Sequence, residues 1–290
     1  MPSALLSILI AAVPMLATEM GGVVTPEDVE AEPQVVQGAI ETPKDLLGAL
    51  AEKDAQTTTL MGTIRYTTID TLANDRQVRI GKVSIKNSDN EDSSASRKYA
   101  VRFSNLTFDD RQEEIDEHYI FDGRWFIERL PEEKQFNKRE LVPEGRTLDP
   151  MELMRDAPFW VSLGRDQDRL LKSYDAELLA TTDGLVDNPN FPELRFLAEM
   201  PHVADTTQLK LVPKEGSGFE DDWEWVRIWV NTETDLPVMY IKSDWTGDLQ
   251  VVELFGTKTN TDIPDSVFDT TAPDETSGWR VQISHWRGDS

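Results

Sequence analysis

The sequence predicts an α+β protein built on one antiparallel sheet with helices on one side. Three observations carry that expectation. About ten stretches alternate apolar and polar residues with a period of two. Compact turn signals separate them, among them Asp122-Gly123 and Thr246-Gly247-Asp248. Helix-opening patterns with a proline just inside the start occur at only two places, around Pro43 and Pro150.

The first of these follows an N-terminal region with its own character. Leu5 to Ala17 is an apolar run too short to span a bilayer, which takes about 20 residues. It reads as a secretory signal (1–17) with cleavage after Ala17. Residues 18–41, with Gly21-Gly22, Pro26, Pro33 and several acids, read as a flexible acidic linker. A single domain is expected over 42–290. Thr42 can cap a helix, Pro43 suits its first position and Asp45 complements the positive end of its dipole. Leu46, Leu47 and Leu50 give that helix an apolar stripe, which must dock on something.

Strands are expected at Thr59–Ile69, Gln77–Asn87 and Lys98–Phe108, the last two parted by the polar loop Ser88–Ser96. Asp109 to Glu117 reads as an acidic connector. His118 to Leu141 reads as a meander turning at Asp122-Gly123 and again at Pro131–Lys134. Asp149, Pro150 and Glu152 form a capping-box arrangement that opens a second helix, ended by Pro158. A further helix starts at Asp166 or Asp168. Asp175–Thr181 and Thr207–Lys214 follow as strands around a Pro-bounded insertion, Asn188–Pro201. Trp223 to Phe268 reads as a three-stranded meander, and Gly278–Trp286 as a last strand. Within that meander Trp225, Arg227 and Trp229 alternate with Val226, Ile228 and Val230. A sheet apolar on both faces must be covered on both or must enclose something apolar.

Composition narrows the function. Net charge is −25, from 54 acidic against 29 basic residues. Nucleic acid and anionic lipid surfaces are therefore poor partners, since like charges repel over a Debye length of about 10 Å. The chain has no cysteine, so disulfides, thiolate nucleophiles and Cys-ligated metals are excluded. The three histidines, His118, His202 and His285, show no metal spacing, and no Gly-x-Ser-x-Gly or phosphate-cradling Gly-Lys-Ser/Thr occurs. Glu113, Glu114, Asp116 and Glu117 could pair for glycoside chemistry, but four acids crowded in one segment read more simply as a solvated connector. Asp89 to Asp92 lacks the glycine and distal glutamate of a calcium loop. Trp223, Trp225, Trp229 and Trp245 could stack on sugars, although core packing explains their alternating positions more simply. No enzyme, cofactor or metal is expected.

The order of several motifs resembles the LolA/LolB-like superfamily of bacterial outer-membrane lipoprotein carriers and sorting proteins. Gly81-Lys-Val-Ser-Ile-Lys86 resembles its early strand after a glycine. Tyr119-Ile-Phe-Asp122-Gly123-Arg-Trp125 resembles its D-G-x-x-aromatic hairpin. Gln135 and Leu141, then Pro150 and Leu153, resemble the segment leading to its central helix. Leu209-Lys-Leu-Val-Pro213-Lys214 resembles an L-x-L-x-P-K strand. Thr234, Pro237, Gly247 and the Thr259–Phe268 ending resemble its C-terminal hairpins. The resemblance implies an incomplete, strongly curved β-barrel of about eleven strands with helices covering its open side. It also implies acyl chains held in an apolar cavity, a periplasmic setting and no catalysis. At the positions where classical carriers have an arginine–proline pair that latches the helical lid, this chain has Asn87 and Ser88.

The reading that follows is an exported, monomeric carrier of lipid acyl chains or of the lipid of lipoproteins. Its cavity is expected to be lined by Val83, Ile85, Val101, Phe103, Ile120, Trp125, Ile127, Val226, Ile228, Val230, Ile241 and Val252. The lid is expected from Leu46, Leu47, Leu50, Met151, Leu153 and Met154. The alternative is an envelope stress-sensing module that binds a protein partner through Phe159, Trp160 and Val161.

Overall fold

The capping pattern at Thr42 does what its chemistry predicts. In the computed structural model, Thr42 Oγ1 accepts from the Asp45 N–H, and the Asp45 carboxylate accepts from the Thr42 N–H at 2.8 Å. This closes the capping box that starts α1 (Pro43–Gln56). The structure describes residues 40–73, 75–87, 97–108, 111–144, 167–186, 188–189 and 191–286. The expected signal, most of the linker, Ser88, the Asp89–Asp92 loop, the Asp149–Pro158 helix with Met151, Leu153 and Met154, and the Phe159–Val161 patch lie outside these residues.

The strands are β1 (Thr59–Asp70), β2 (Asp75–Lys86), β3 (Lys98–Phe108), β4 (Arg111–Phe121), β5 (Trp125–Leu130) and β6 (Gln135–Glu140). After α2 (Gln167–Ser173) come β7 (Tyr174–Leu179), β8 (Thr206–Pro213), β9 (Trp225–Asn231), β10 (Pro237–Ser243), β11 (Leu249–Thr259) and β12 (Arg280–Ser284). All twelve form one sheet in the order β12-β6-β5-β4-β3-β2-β1-β11-β10-β9-β8-β7. The ends do not meet, so the sheet is an open half-barrel rather than a closed one. The fold is α+β and mostly strand.

Two features differ from expectation. The acidic segment before His118 is no connector: Arg111 to Phe121 is one strand, paired with β3 from Phe108↔Arg111 to Tyr99↔Phe121. Its acids are tolerated because the outer half of this long hairpin is solvated, and Asp116 and Glu117 are paired with Arg102 and Arg79. The last strand is not antiparallel. It pairs in parallel with β6, from Arg280↔Gln135 to Ser284↔Arg139. The insertion after Asn188 contains a 3₁₀ helix, Pro192–Glu199.

Glycines shape the sheet at two points. Asp122 accepts from the N–H groups of Arg124 and Trp125 (2.9 and 2.7 Å) while Gly123 takes φ 102°. That is the predicted hairpin turn. At Gly81 the β2–β3 register shifts, and a Cβ there would lie 2.1 Å from the carbonyl oxygen of Arg102. Only glycine lets the two backbones approach so closely at the bulge.

The sheet is covered on both faces. One face, called here the helix face, packs a core from Leu46, Leu47 and Leu50 of α1 and Leu170 of α2 against Ile64, Val83, Val101, Phe103, Phe121, Ile228 and Val252. The far face carries two separate cores. Residues of the 185–203 segment (Leu185, Leu194, Leu197, Val203) cover Ile69, Trp229, Met239, Ile241 and Val251. The C-terminal segment (Ile263, Phe268) covers Ala100, Ile120, Ile127 and Phe136. The Trp223–Phe268 meander is apolar on both sides because it lies between two cores.

Candidate apolar binding site under the first helix

Period-two alternation and register place the site's side chains. Across β1, β2 and β3 the pairs Gly62↔Val83↔Val101 and Leu60↔Ile85↔Tyr99 bring successive residues to one face. On the other wing Ile228↔Tyr240↔Val252 does the same, and Val252 faces Tyr66 on β1. Between these wings lies a cavity of about 40 Å³ lined by Ile64, Val83, Ile85, Tyr99, Val101, Pro237, Met239, Tyr240, Val252 and Leu254. An apolar cavity of roughly 150 Å³ is what admits benzene. The present one is smaller than that and is lined by side chains of β1, β2, β3, β10 and β11.

Of the lining read from the sequence, Val83, Ile85, Val101 and Val252 border this cavity. Phe103, Val226, Ile228 and Val230 lie in the same helix-face core. Ile120, Ile127 and Ile241 are on the far face. Trp125 is two residues from Ile127 on β5 and shares its face. It packs instead against His285 (5.2 Å between rings) and under Lys138 (4.9 Å). The physical reason is the alternation itself: Tyr99, Phe121 and Phe126 point to the helix face, so their strand neighbours point away. The sequence reading missed Ile64, Tyr99, Tyr240 and Leu254, whose signal is the same alternation in β1, β3, β10 and β11. The tryptophans form no platform. Trp223 belongs to the helix-face core and Trp225 and Trp229 to the far face, while Trp245 is exposed. The Trp229 indole N–H donates to the Thr181 carbonyl at 2.7 Å.

α1 is held unevenly. Its N-terminal half is docked by Leu46, Leu47 and Leu50, the first two fully buried. Near its N-terminus the Lys44–Asp168 pair (3.2 Å) is exposed on both sides, where such pairs contribute only about 0–1 kcal/mol. Its C-terminal end is tied down. Asn260 Nδ2 donates to the Gln56 carbonyl at 3.1 Å, and its Oδ1 accepts from the Thr58 N–H at 2.8 Å. Asn87 Nδ2 donates to the Thr57 carbonyl, and Arg97 pairs with Asp54 at 2.8 Å. Asn87, just past the end of β2, thus fastens the C-terminal end of this helix.

One end of the helix face is polar. Arg79 pairs with Glu117 at 3.2 Å, and Tyr119 donates to the same carboxylate at 3.2 Å. Burial and then the Glu117 charge push the Tyr119 hydroxyl's pKa far up. Burial also raises Tyr66 and Tyr240, the latter further through its neighbour Tyr66. These phenols stay neutral and can donate hydrogen bonds at the margin of an apolar space. Each histidine faces a carboxylate, in three separate places: His118 with Asp116, His202 with Glu253 and His285 with Glu140. No group of three or more metal-capable side chains occurs among the described residues. No described helix is long and apolar enough to cross a membrane.

No family model and no curated protein sequence matches the chain. Solved structures do. An uncharacterized conserved protein from Thermus thermophilus matches with a TM-score of 0.43 at 10% identity, over 84% of this chain and 98% of that one. A LolA superfamily protein from Nitrosomonas europaea matches with a TM-score of 0.30 at 14% identity, over 76% and 96%. MucB of Pseudomonas aeruginosa, solved in complex with MucA, matches with a TM-score of 0.38 at 14% identity, over 78% of this chain and 60% of that one. At these scores the matches assign neither ligand nor partner.

Proposed function

We propose that this protein is a non-enzymatic, exported binder of acyl chains, with α1 as the lid of its site. The observation that carries the reading is the uneven hold on α1. Three leucines in its N-terminal half plug an apolar face, the ion pair at that end among the described residues is exposed, and the C-terminal end is fixed by Asn87 and Asn260. Swinging α1 about residues 56–58 would exchange the leucines for acyl methylenes. Each buried CH₂ contributes about 0.8 kcal/mol, so a chain of ordinary length matches the burial that the leucines give up. The cavity residues Val83, Ile85, Val101 and Val252 would then line the ligand, with Phe103, Val226, Ile228 and Val230 beyond them. The Arg79–Glu117–Tyr119 network would sit where a polar head emerges.

The test is native purification followed by lipid mass spectrometry. Acyl lipid at near-stoichiometric amount supports the reading, and so does its loss in folded Leu47→Asp protein. Lipid-free protein that takes up no fatty acid on titration would refute it. A second reading, a protein-binding module, is favoured by the two sheet edges, β7 and β12, which have no further strand beside them among the described residues. Such edges accept an added strand. Clean apo protein that recruits one envelope protein along β7 or β12 would establish that reading instead.

A further inference from the structure

The far face of β2 to β5 holds an arrangement that the acyl-chain reading does not use. Lys82, Arg102, His118 and Arg129 stand directly opposite one another on four consecutive strands, through the pairs Lys82↔Arg102, Arg102↔His118 and His118↔Arg129. Like charges placed opposite each other across strands destabilise a sheet. This chain has few cations to spend, with 29 basic residues against 54 acidic ones. A row of this kind breaks a local rule, and such breaks gather at functional sites.

The row borders a cavity of about 370 Å³. Ala100 and Ile120 supply an apolar floor, and the 3₁₀ turn Asp265–Phe268 overhangs it through Ser266 and Val267. The groups are only partly satisfied. Lys82 Nζ donates to Thr63 Oγ1 at 2.8 Å, and Asp116 accepts from Arg102 at 2.7 Å and contacts His118 at 2.9 Å. Arg129 lies over the Trp279 ring at 5.3 Å, and its buried Nε has no hydrogen-bond partner among the described residues. Asp269 is the one acid in the lining. Counting Asp116 and Asp269 against the row still leaves positive charge in excess.

We propose that this pocket binds a small multivalent oxyanion of diphosphate type that carries an apolar substituent. The row spans three strand spacings of about 4.8 Å each, too far for one monovalent anion to engage more than a neighbouring pair. Two linked phosphoryl groups engage more of the row than a single one does, and Arg129 Nε gains the acceptor it lacks. The Ala100–Ile120 floor and Val267 then receive the substituent.

The test is calorimetric titration of the whole exported chain with pyrophosphate, orthophosphate and phosphatidylglycerol-containing phosphatidylcholine vesicles. Pyrophosphate is expected to bind one per chain and more tightly than orthophosphate. Arg129→Gln and Lys82→Gln are each expected to weaken it about tenfold or more, and Lys53→Gln on α1 not at all. Circular dichroism checks that each variant is folded. No pyrophosphate binding overturns the proposal, as does equal binding by a folded Lys82→Gln/Arg129→Gln double variant. Binding to vesicles without binding to pyrophosphate also overturns it, because the row would then be reading a lipid surface.

Discussion

The lid reading makes a quantitative demand on α1. Leu47 is 0% exposed and packs between the helix and the sheet. Truncation of such a leucine to alanine costs about 2.7–5 kcal/mol in a well-packed core. The three leucines together hold the helix with roughly 5–9 kcal/mol of burial, to which the exposed Lys44–Asp168 pair adds little. If α1 opens by itself, Leu47→Ala favours that opening, and about 3 kcal/mol raises the open population about 100-fold. Amide hydrogen exchange followed by mass spectrometry reads this directly. Peptides covering residues 43–56 should exchange faster than peptides from β1, β2 and β11 already in the wild type, and about 100-fold faster again in the variant. Equal protection of the helix and those strands in the wild type would refute the reasoning, because α1 would then unfold only together with the sheet and could not serve as a lid.

Other outcomes follow from single features. Gly81→Ala drives a methyl group into the Arg102 carbonyl at the β2–β3 bulge; a loss of about 2–4 kcal/mol is expected in urea unfolding, with exchange loosened first in β2 and β3. Glu253 is fully buried, with Arg65 Nη1 3.2 Å from both of its oxygens and His202 Nε2 3.2 Å from one. Glu253→Ala strands the Arg65 guanidinium and removes the His202 partner, and should cost about 3–5 kcal/mol, or about 10 °C in a melting curve. Glu140 has a depressed pKa, chiefly through its bond from Arg124 and then through the Trp286 N–H. A depressed carboxyl pKa gives stability that is present in full above the unfolded value of about 4.3 and is lost as pH falls through the lower folded value. Wild type should therefore be more stable than Glu140→Gln at pH 7, and their acid unfolding curves should converge below about pH 4.

Local signals made most of the sheet readable. Period-two alternation and the Asp-Gly and Thr-Gly-Asp turns located β1 to β3 and β5 to β11 almost residue for residue. What stayed hidden depends on partners far away in sequence. Acidic residues argue for a loop until Arg79 and Arg102, on other strands, neutralise Glu117 and Asp116. A short C-terminal strand carries no mark of direction, and only the sheet edge at β6 makes β12 parallel. The site was half legible for the same reason. Alternation says that Val83 and Ile85 share a face, but it cannot say that Ile120 lies opposite them, because the Gly81 and Ser104 irregularities reset the count between strands. The tie at the C-terminal end of α1 was invisible altogether: Asn260 reaches Gln56 and Thr58 across about 200 positions.

The two shields on the far face have a consequence for how this molecule can change over generations. Leu194, Leu197 and Val203 clamp one wing of the sheet and Ile263 and Phe268 the other, each from a short contiguous stretch of chain. With both wings clamped from behind, the strands do not depend on any single side chain under α1 to stay in register. Substitutions at Val83, Val101 or Val252 can therefore reshape the space in front while the backbone ladder remains as it is. The layout separates the part that must be kept from the part that is free to drift, and it lets one scaffold be refitted to a new occupant by small, individually tolerable steps.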